Sequence, residues 1–183
     1  MTEAQWVELI ADKLRQSSIG NFNIRTKFRL AYGHEITSYG EQPHSNTIGF
    51  ETDLVILETT ANDRWKPRVV VEAKVGRVTT HDAIVYSQKA SSHRAVHPYL
   101  RYGIILGNRR HHPLPGRLYR HGVQFEFMMS FVAFEPSNDE THSFIDLLQS
   151  EIEASRTLER ILYDSRRRDR DRYTMLHRKL IVS

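Results

Sequence analysis

The stretch from Phe50 to Lys74 limits what this chain can fold into more than any other. Two short apolar runs, Leu54-Val55-Ile56-Leu57 and Val69-Val70-Val71, flank a polar segment, Thr59–Lys66. Both runs are rich in β-branched residues and are bounded by turn formers, so they read as buried strands. Each carries charge where a buried strand should have none. Asp53 opens the first run, and Glu72 and Lys74 close the second. Side chains on a strand alternate faces, so Glu72 and Lys74 point to one side. If the two strands pair as a hairpin, Asp53 joins them. Two carboxylates and an ammonium then share one pocket, expected at a sheet edge.

The remaining segments fit around this pair. Residues 3–17 predict a helix with Trp6, Leu9, Ile10, Lys13 and Leu14 along one face, capped by Thr2 with Gln5 as its capping-box partner. Partial alternation predicts a strand near 26–33. Gly33 to Asn46 reads as a loop or a surface strand extension. Thr79-Thr80-His81-Asp82 marks a helix start, and the helix is expected to run to about Ala95 with Ile84, Val85, Gln88 and Ala95 on related turns. Tyr102–Leu106 is a short buried strand, and Arg109–Gly122 a basic loop. The aromatic run Val123–Phe134 predicts a strand. A helix over about 141–165 follows, with Phe144, Leu147, Leu148, Ile152, Leu158, Ile161 and Leu162 as its stripe, and then a short helix over 168–180. The expectation is one domain over 1–183 with a helical extension from about 141. Its class is α/β, a mixed sheet with helices on both faces.

Composition removes several chemistries. The chain has 183 residues and no cysteine, which excludes disulfide scaffolds, thiolate metal sites and cysteine nucleophiles. No apolar run approaches the roughly 20 residues of a membrane span. The acidic, amphipathic start does not resemble a signal peptide. A cytoplasmic, prokaryotic setting with no membrane association is expected. The net charge of +4 favours anionic partners such as nucleic acid. Arginines concentrate in the tail, with Arg166, Arg167 and Arg168 adjacent as candidate nucleic-acid contacts and Arg170 and Arg172 beyond. Asp164, Asp169 and Asp171 interleave with them and can pair with them at helical spacing.

Asp53, eighteen intervening residues and then Glu72-Ala73-Lys74 on an apolar strand resemble the PD-(D/E)xK nuclease superfamily, whose fold is restriction-endonuclease-like. Thr52-Asp53 matches the first motif, with Thr52 in place of the motif's proline, and Glu72-Ala73-Lys74 the second. Tyr86-Ser87-Gln88-Lys89 on the following helix is similar to a third polar position of that superfamily. The likeness covers about residues 1–107 in element order and implies an αβββαβ core. It implies a Mg²⁺-dependent nuclease, a hydrolase of phosphodiester bonds, with Mn²⁺ able to substitute.

The residues support that chemistry on their own terms. Hard carboxylate oxygens from Asp53 and Glu72 suit Mg²⁺, which is usually held by one or two carboxylates and keeps several waters. Such an ion activates water and polarises a phosphoryl oxygen. Lys74 on the same face can orient or help deprotonate the water, or neutralise the phosphate. Glu51 shares a face with Asp53 but lies further from the apolar run, so Asp53 is the expected ligand. The resemblance further implies that the Ala73 backbone carbonyl completes the metal shell, that Gln88 orients the water or Lys74, and that an acid on the first helix joins the site. Glu8 is the candidate for that acid, and Glu35 a weaker one.

Other features stay secondary. His111 and His112 are adjacent and point apart. His93 and His97 stand at i,i+4 spacing without a third ligand. Arg109, Arg110 and Arg117 follow a core strand and can contact phosphate. The expected substrate is nucleic acid, DNA in the first instance and cut internally. A homodimer is expected, since one site nicks one strand. The competing expectation is an inactive nucleic-acid-binding or assembly module on the same fold.

Overall fold

A computed structural model describes residues 1–17, 22–110, 112, 114–164 and 175. The tail arginines Arg166, Arg167, Arg168, Arg170 and Arg172, the expected helix over 168–180 apart from Met175, and His111 lie outside the described residues. The elements run α1 (Glu3–Gln16), β1 (Phe22–Ser38), β2 (His44–Thr59), β3 (Trp65–Val75), α2 (Thr80–Val96), β4 (Arg101–Gly107), α3 (Gly116–His121), β5 (Phe127–Ser130) and α4 (Asn138–Tyr163). The five strands form one mixed sheet in the order β1-β2-β3-β4-β5. The first three are antiparallel neighbours, and β4 and β5 continue in parallel. β3 is therefore the middle strand, and the expected pocket lies not at a sheet edge but on the central strand. Among the described residues no helix is long and apolar enough to cross a membrane.

The sheet is buried on both faces, so its middle strands read as continuous apolar runs. One face carries Leu54, Ile56, Val69, Val71 and Ala73 against Trp6, Ile10 and Leu14 of α1 and Phe144, Leu148 and Ile152 of α4. The other carries Val55, Leu57, Val70, Tyr102 and Ile104 against Ala83 and Ala90 of α2 and Leu118 of α3. The three longer helices open with capping boxes: Thr2 with Gln5, Thr79 with Asp82, and Ser137 with Glu140. The C-terminal half of α4 is fastened to the sheet by ions. Glu58 takes Arg68 at 2.6 Å and Arg156 at 2.5 Å, and Arg68 also reaches Glu159 at 2.7 Å. Past that network Ile161 and Leu162 emerge into solvent, so the buried stripe of α4 is shorter than its sequence pattern suggests.

Of the two readings of Gly33–Asn46 the structure shows the strand extension, with β1 and β2 paired out to Ser38↔His44. Three other segments differ from expectation. The aromatic run Val123–Phe134 holds only four strand residues. Phe125 packs on the α2 side while Phe127 and Phe131 pack on the α1 side, although all three have the same parity. The segment opens with a turn in which the Phe125 N–H donates to the Gly122 carbonyl, and the change of face follows it, between Phe125 and Phe127. The basic loop contains α3, a short helix set by burial of Leu118. β3 starts inside the polar segment, at Trp65, and Pro67 is accommodated beside a register shift, where a strand tolerates a missing donor.

Candidate active site

The β2–β3 ladder runs from Thr59↔Trp65 to Leu54↔Val71 and stops there. In the next position Asp53 takes over the backbone's role: its Oδ2 accepts the Ala73 N–H at 2.8 Å. The β1–β2 ladder omits Asp53 and its neighbour Lys27, which adopts a left-handed φ of 49°. At this point β1 changes sides. Ile24 belongs to the α1-side core and Leu30 to the α2-side core, although both are even-numbered. The irregularity coincides with the position of Asp53, as β-bulges often coincide with active sites.

Glu72 projects beneath α2 and is 1% exposed. Its Oε1 accepts the Tyr102 hydroxyl at 2.5 Å and pairs with the Lys89 ammonium at 2.8 Å. Burial pushes its carboxyl up from 4.5 to about 7; Lys89 opposes the rise and Asp53 adds to it. Burial and the Glu72 carboxylate likewise hold the Tyr102 phenol well above its usual range, so it stays a donor. Lys89 also donates to the Glu51 carbonyl at 2.9 Å.

Lys74 stands on the same face and is partly open to solvent. Its ammonium lies 3.7 Å from Glu3 Oε2 and 5.9 Å from the centre of the Tyr86 ring. Burial lowers its pKa, but Tyr86, Glu3 and Asp82 outweigh burial and leave it raised. The same Glu3 carboxylate accepts the Val75 N–H at 3.1 Å.

Asp53, Glu72, Ala73 and Lys74 are thus brought together. Glu8 and Gln88 are not. Glu8 lies five residues beyond Glu3, about 140° around the helix. There it accepts the Thr26 hydroxyl and lies 3.6 Å from Arg15. Glu3 is the acid that α1 contributes. Gln88 is exposed on the outer side of α2 with Ile84 and Val85, and Lys89 faces the site in its place. The buried small residues Ala83, Ser87 and Ala90 carried the signal: they mark the packed face, and Tyr86 and Lys89 border it. Glu35 is exposed on the strand extension, and the Glu51 side chain is also exposed. Arg109 turns inward, with its guanidinium donating to the Gly76 carbonyl at 2.6 Å, which draws it away from solvent phosphate. Arg110 is exposed and Arg117 half-buried on α3. His93 and His97 do not form a metal pair: each bonds a β1 carbonyl, Leu30 at 3.2 Å and Ala31 at 3.1 Å.

Buried His93 stacks on Tyr102, with ring centres 5.6 Å apart. Burial lowers its pKa from 6.5 to about 4. A depressed folded-state pKa gives stability that is full above 6.5 and lost as pH falls through 4. The stability gap between the parent and His93→Phe should therefore shrink by roughly 3 kcal/mol between pH 6.5 and 4 in urea titrations. A constant gap would show that His93 takes up its proton equally readily in the folded and unfolded chains.

The donor set is hard oxygen, and the charge of Asp53 adds to the cost of ionising Glu72. That set fits a small divalent cation held by two carboxylates and a carbonyl. Among the described residues no group of three or more His, Cys, Asp or Glu gathers to hold an ion. Compared with models of known families and with curated proteins, the chain matches none.

Proposed function

We propose that this protein is a metal-dependent nuclease of the PD-(D/E)xK type that hydrolyses phosphodiester bonds in DNA. One observation carries the reading: Asp53 closes the fork between β2 and β3 through the Ala73 amide, with buried Glu72 and partly exposed Lys74 on the same face. The order α1-β1-β2-β3-α2-β4, with β3 central, supports a restriction-endonuclease-like core.

Asp53, Glu72 and the Ala73 carbonyl would hold Mg²⁺, with Mn²⁺ as a substitute. When bound, such an ion supplies Lewis acidity and a lowered pKa for water. Lys74 keeps its proton, so it acts on the phosphate and on the orientation of the attacking water as a cationic donor rather than as a base. Glu3 and Tyr86 fix where that ammonium stands. Lys89 and Tyr102 fix the Glu72 carboxylate, and Lys89 takes the role the resemblance would give to Gln88. A single site cuts one strand, so double-strand cutting takes two copies or two events.

The test is a panel of supercoiled plasmid, linear duplex, single-stranded DNA and RNA, incubated with Mg²⁺, Mn²⁺ or EDTA. Metal-dependent cutting of DNA is expected, and Lys74→Ala should lose it. Tight binding without cutting under any metal would instead make the protein a binding module on this fold. Within the panel, Lys89→Met should slow cutting by about a hundredfold, as loss of a positioned charge does. Gln88→Ala should stay within about twofold, as for an exposed surface residue. The opposite ranking would return Gln88 to the site.

A further inference from the structure

β1 and β2 stay paired well past the point where β3 leaves them. The last β2–β3 pair is Leu54↔Val71, whereas the β1–β2 ladder runs on to Ser38↔His44. A two-stranded ribbon therefore projects from the site itself. Its root is anchored. Tyr32 stacks on Phe50 with centres 3.7 Å apart, both rings meet His93 edge-on, and His97 bonds the Ala31 carbonyl. Beyond the root, residues 34–47 are exposed without interruption, and Tyr39 at the tip is 86% exposed.

The chemistry of this arm is selective. Residues 34–47 include no Lys or Arg, and all but Ile36, Gly40 and Pro43 carry hydrogen-bonding side chains. An arm that gripped phosphates would be basic, and one that docked on a protein core would be apolar. The cations stand at its root instead: Arg25, Lys27 and Arg29 are exposed on β1 beside Asp53. That division matches duplex recognition, in which backbone contacts position the protein and base-edge contacts specify the sequence. A two-stranded ribbon fits the major groove of B-DNA, about 12 Å wide. Five rungs beyond the root give a reach of about 16 Å, more than the groove's depth. Pairing with a second copy is disfavoured by Glu35, Glu41, Pro43 and the register shifts at Ala31/Gly33 and Ile36/Ser38, features that blunt open strand edges.

We propose that the Gly33–Ile48 ribbon enters the major groove of duplex DNA and reads base edges while Arg25, Lys27 and Arg29 hold the flanking phosphates. The proposal rests on the nuclease reading for its substrate class. It implies a preference for DNA over RNA duplexes, whose deep, narrow major groove excludes such an arm.

The test measures binding in EDTA to a mixed-sequence 30-base-pair DNA duplex, and to the same duplex with its major groove filled by glucosylated hydroxymethylcytosine. The full chain should bind the open duplex about tenfold more tightly than the filled one, the effect of one or two base contacts. Replacing residues 35–46 by Asn-Gly, a two-residue hairpin turn, should abolish that difference. Tyr39→Ala with Gln42→Ala and Asn46→Ala, in the full-length ribbon, should reduce it. In both variants the salt dependence should keep the parent slope, because no cation is removed. Alanine at Arg25, Lys27 and Arg29 should flatten the slope by about 0.9 per lost phosphate contact. Equal binding of the open and filled duplexes by the parent, or an unchanged difference in the shortened variant, overturns the proposal. So does a dimer that becomes a monomer on shortening. Groove-sensitive binding by the parent without Mg²⁺-dependent cutting would reject the nuclease and keep the ribbon.

Discussion

Glu72→Gln should make the metal-free protein more stable while abolishing its cutting. The parent carboxyl, buried and held at about 7, ionises at a cost near neutral pH. A folded-state pKa raised above the unfolded value of 4.5 means that the group's contribution is full below 4.5 and lost as pH rises through 7. Gln does not titrate, so the two proteins should be close in stability at pH 4.5 and diverge as pH rises. Above pH 8 the gap should level at roughly 3 kcal/mol, on the order of 5–10 °C in melting temperature for a chain of this length. Thermal unfolding in EDTA at pH 4.5, 6, 7 and 8 measures it. A gap that is constant with pH, or that closes as pH rises, would mean that Lys89 and Tyr102 already keep Glu72 ionised at no cost. A residue that destabilises the fold at working pH is the sign of a group retained for chemistry.

Asp53→Asn should also cost most of the activity, and almost nothing in fold. The Asn side-chain oxygen can still accept the Ala73 N–H, so the bridge across the β2–β3 fork survives. The hard anionic ligand does not. Mg²⁺-dependent cutting should fall by about a thousandfold or more, the scale of losing a main electrostatic element of a site. Isothermal titration with Mg²⁺ should show heat for the parent and none for the variant, at unchanged melting temperature in EDTA. Equal Mg²⁺ binding by both proteins would move the metal away from Asp53.

The parts of the site on strands were legible in the sequence, and the parts on helices were only half so. Strand alternation is a period of two, so Glu72 and Lys74 could be placed on one face without the structure, and the apolar runs anchored Asp53 beside them. Helical positions need the packed face to be known first. On α2 the exposed apolar pair Ile84 and Val85 mimicked a core stripe and drew Gln88 forward, while Ala83, Ser87 and Ala90 did the packing. On α1 both Glu3 and Glu8 were available, and only the docking of the helix end at Val75 selects Glu3. The change of face at Lys27 had no local signal, because a left-handed lysine is not announced by glycine or asparagine. The ribbon was visible only as a stretch without periodicity, since a two-stranded arm with both faces exposed has no apolar alternation to show. The run Val123–Phe134 was misleading for the opposite reason: its aromatics serve two cores on opposite faces of the sheet.

The most direct test of the central claim is the fate of supercoiled plasmid incubated with the parent protein in Mg²⁺, beside the same reaction in EDTA and with Asp53→Asn. Conversion to nicked or linear DNA by the parent in Mg²⁺ alone is the predicted result. Intact plasmid in all three reactions, or equal cutting by Asp53→Asn, would contradict it.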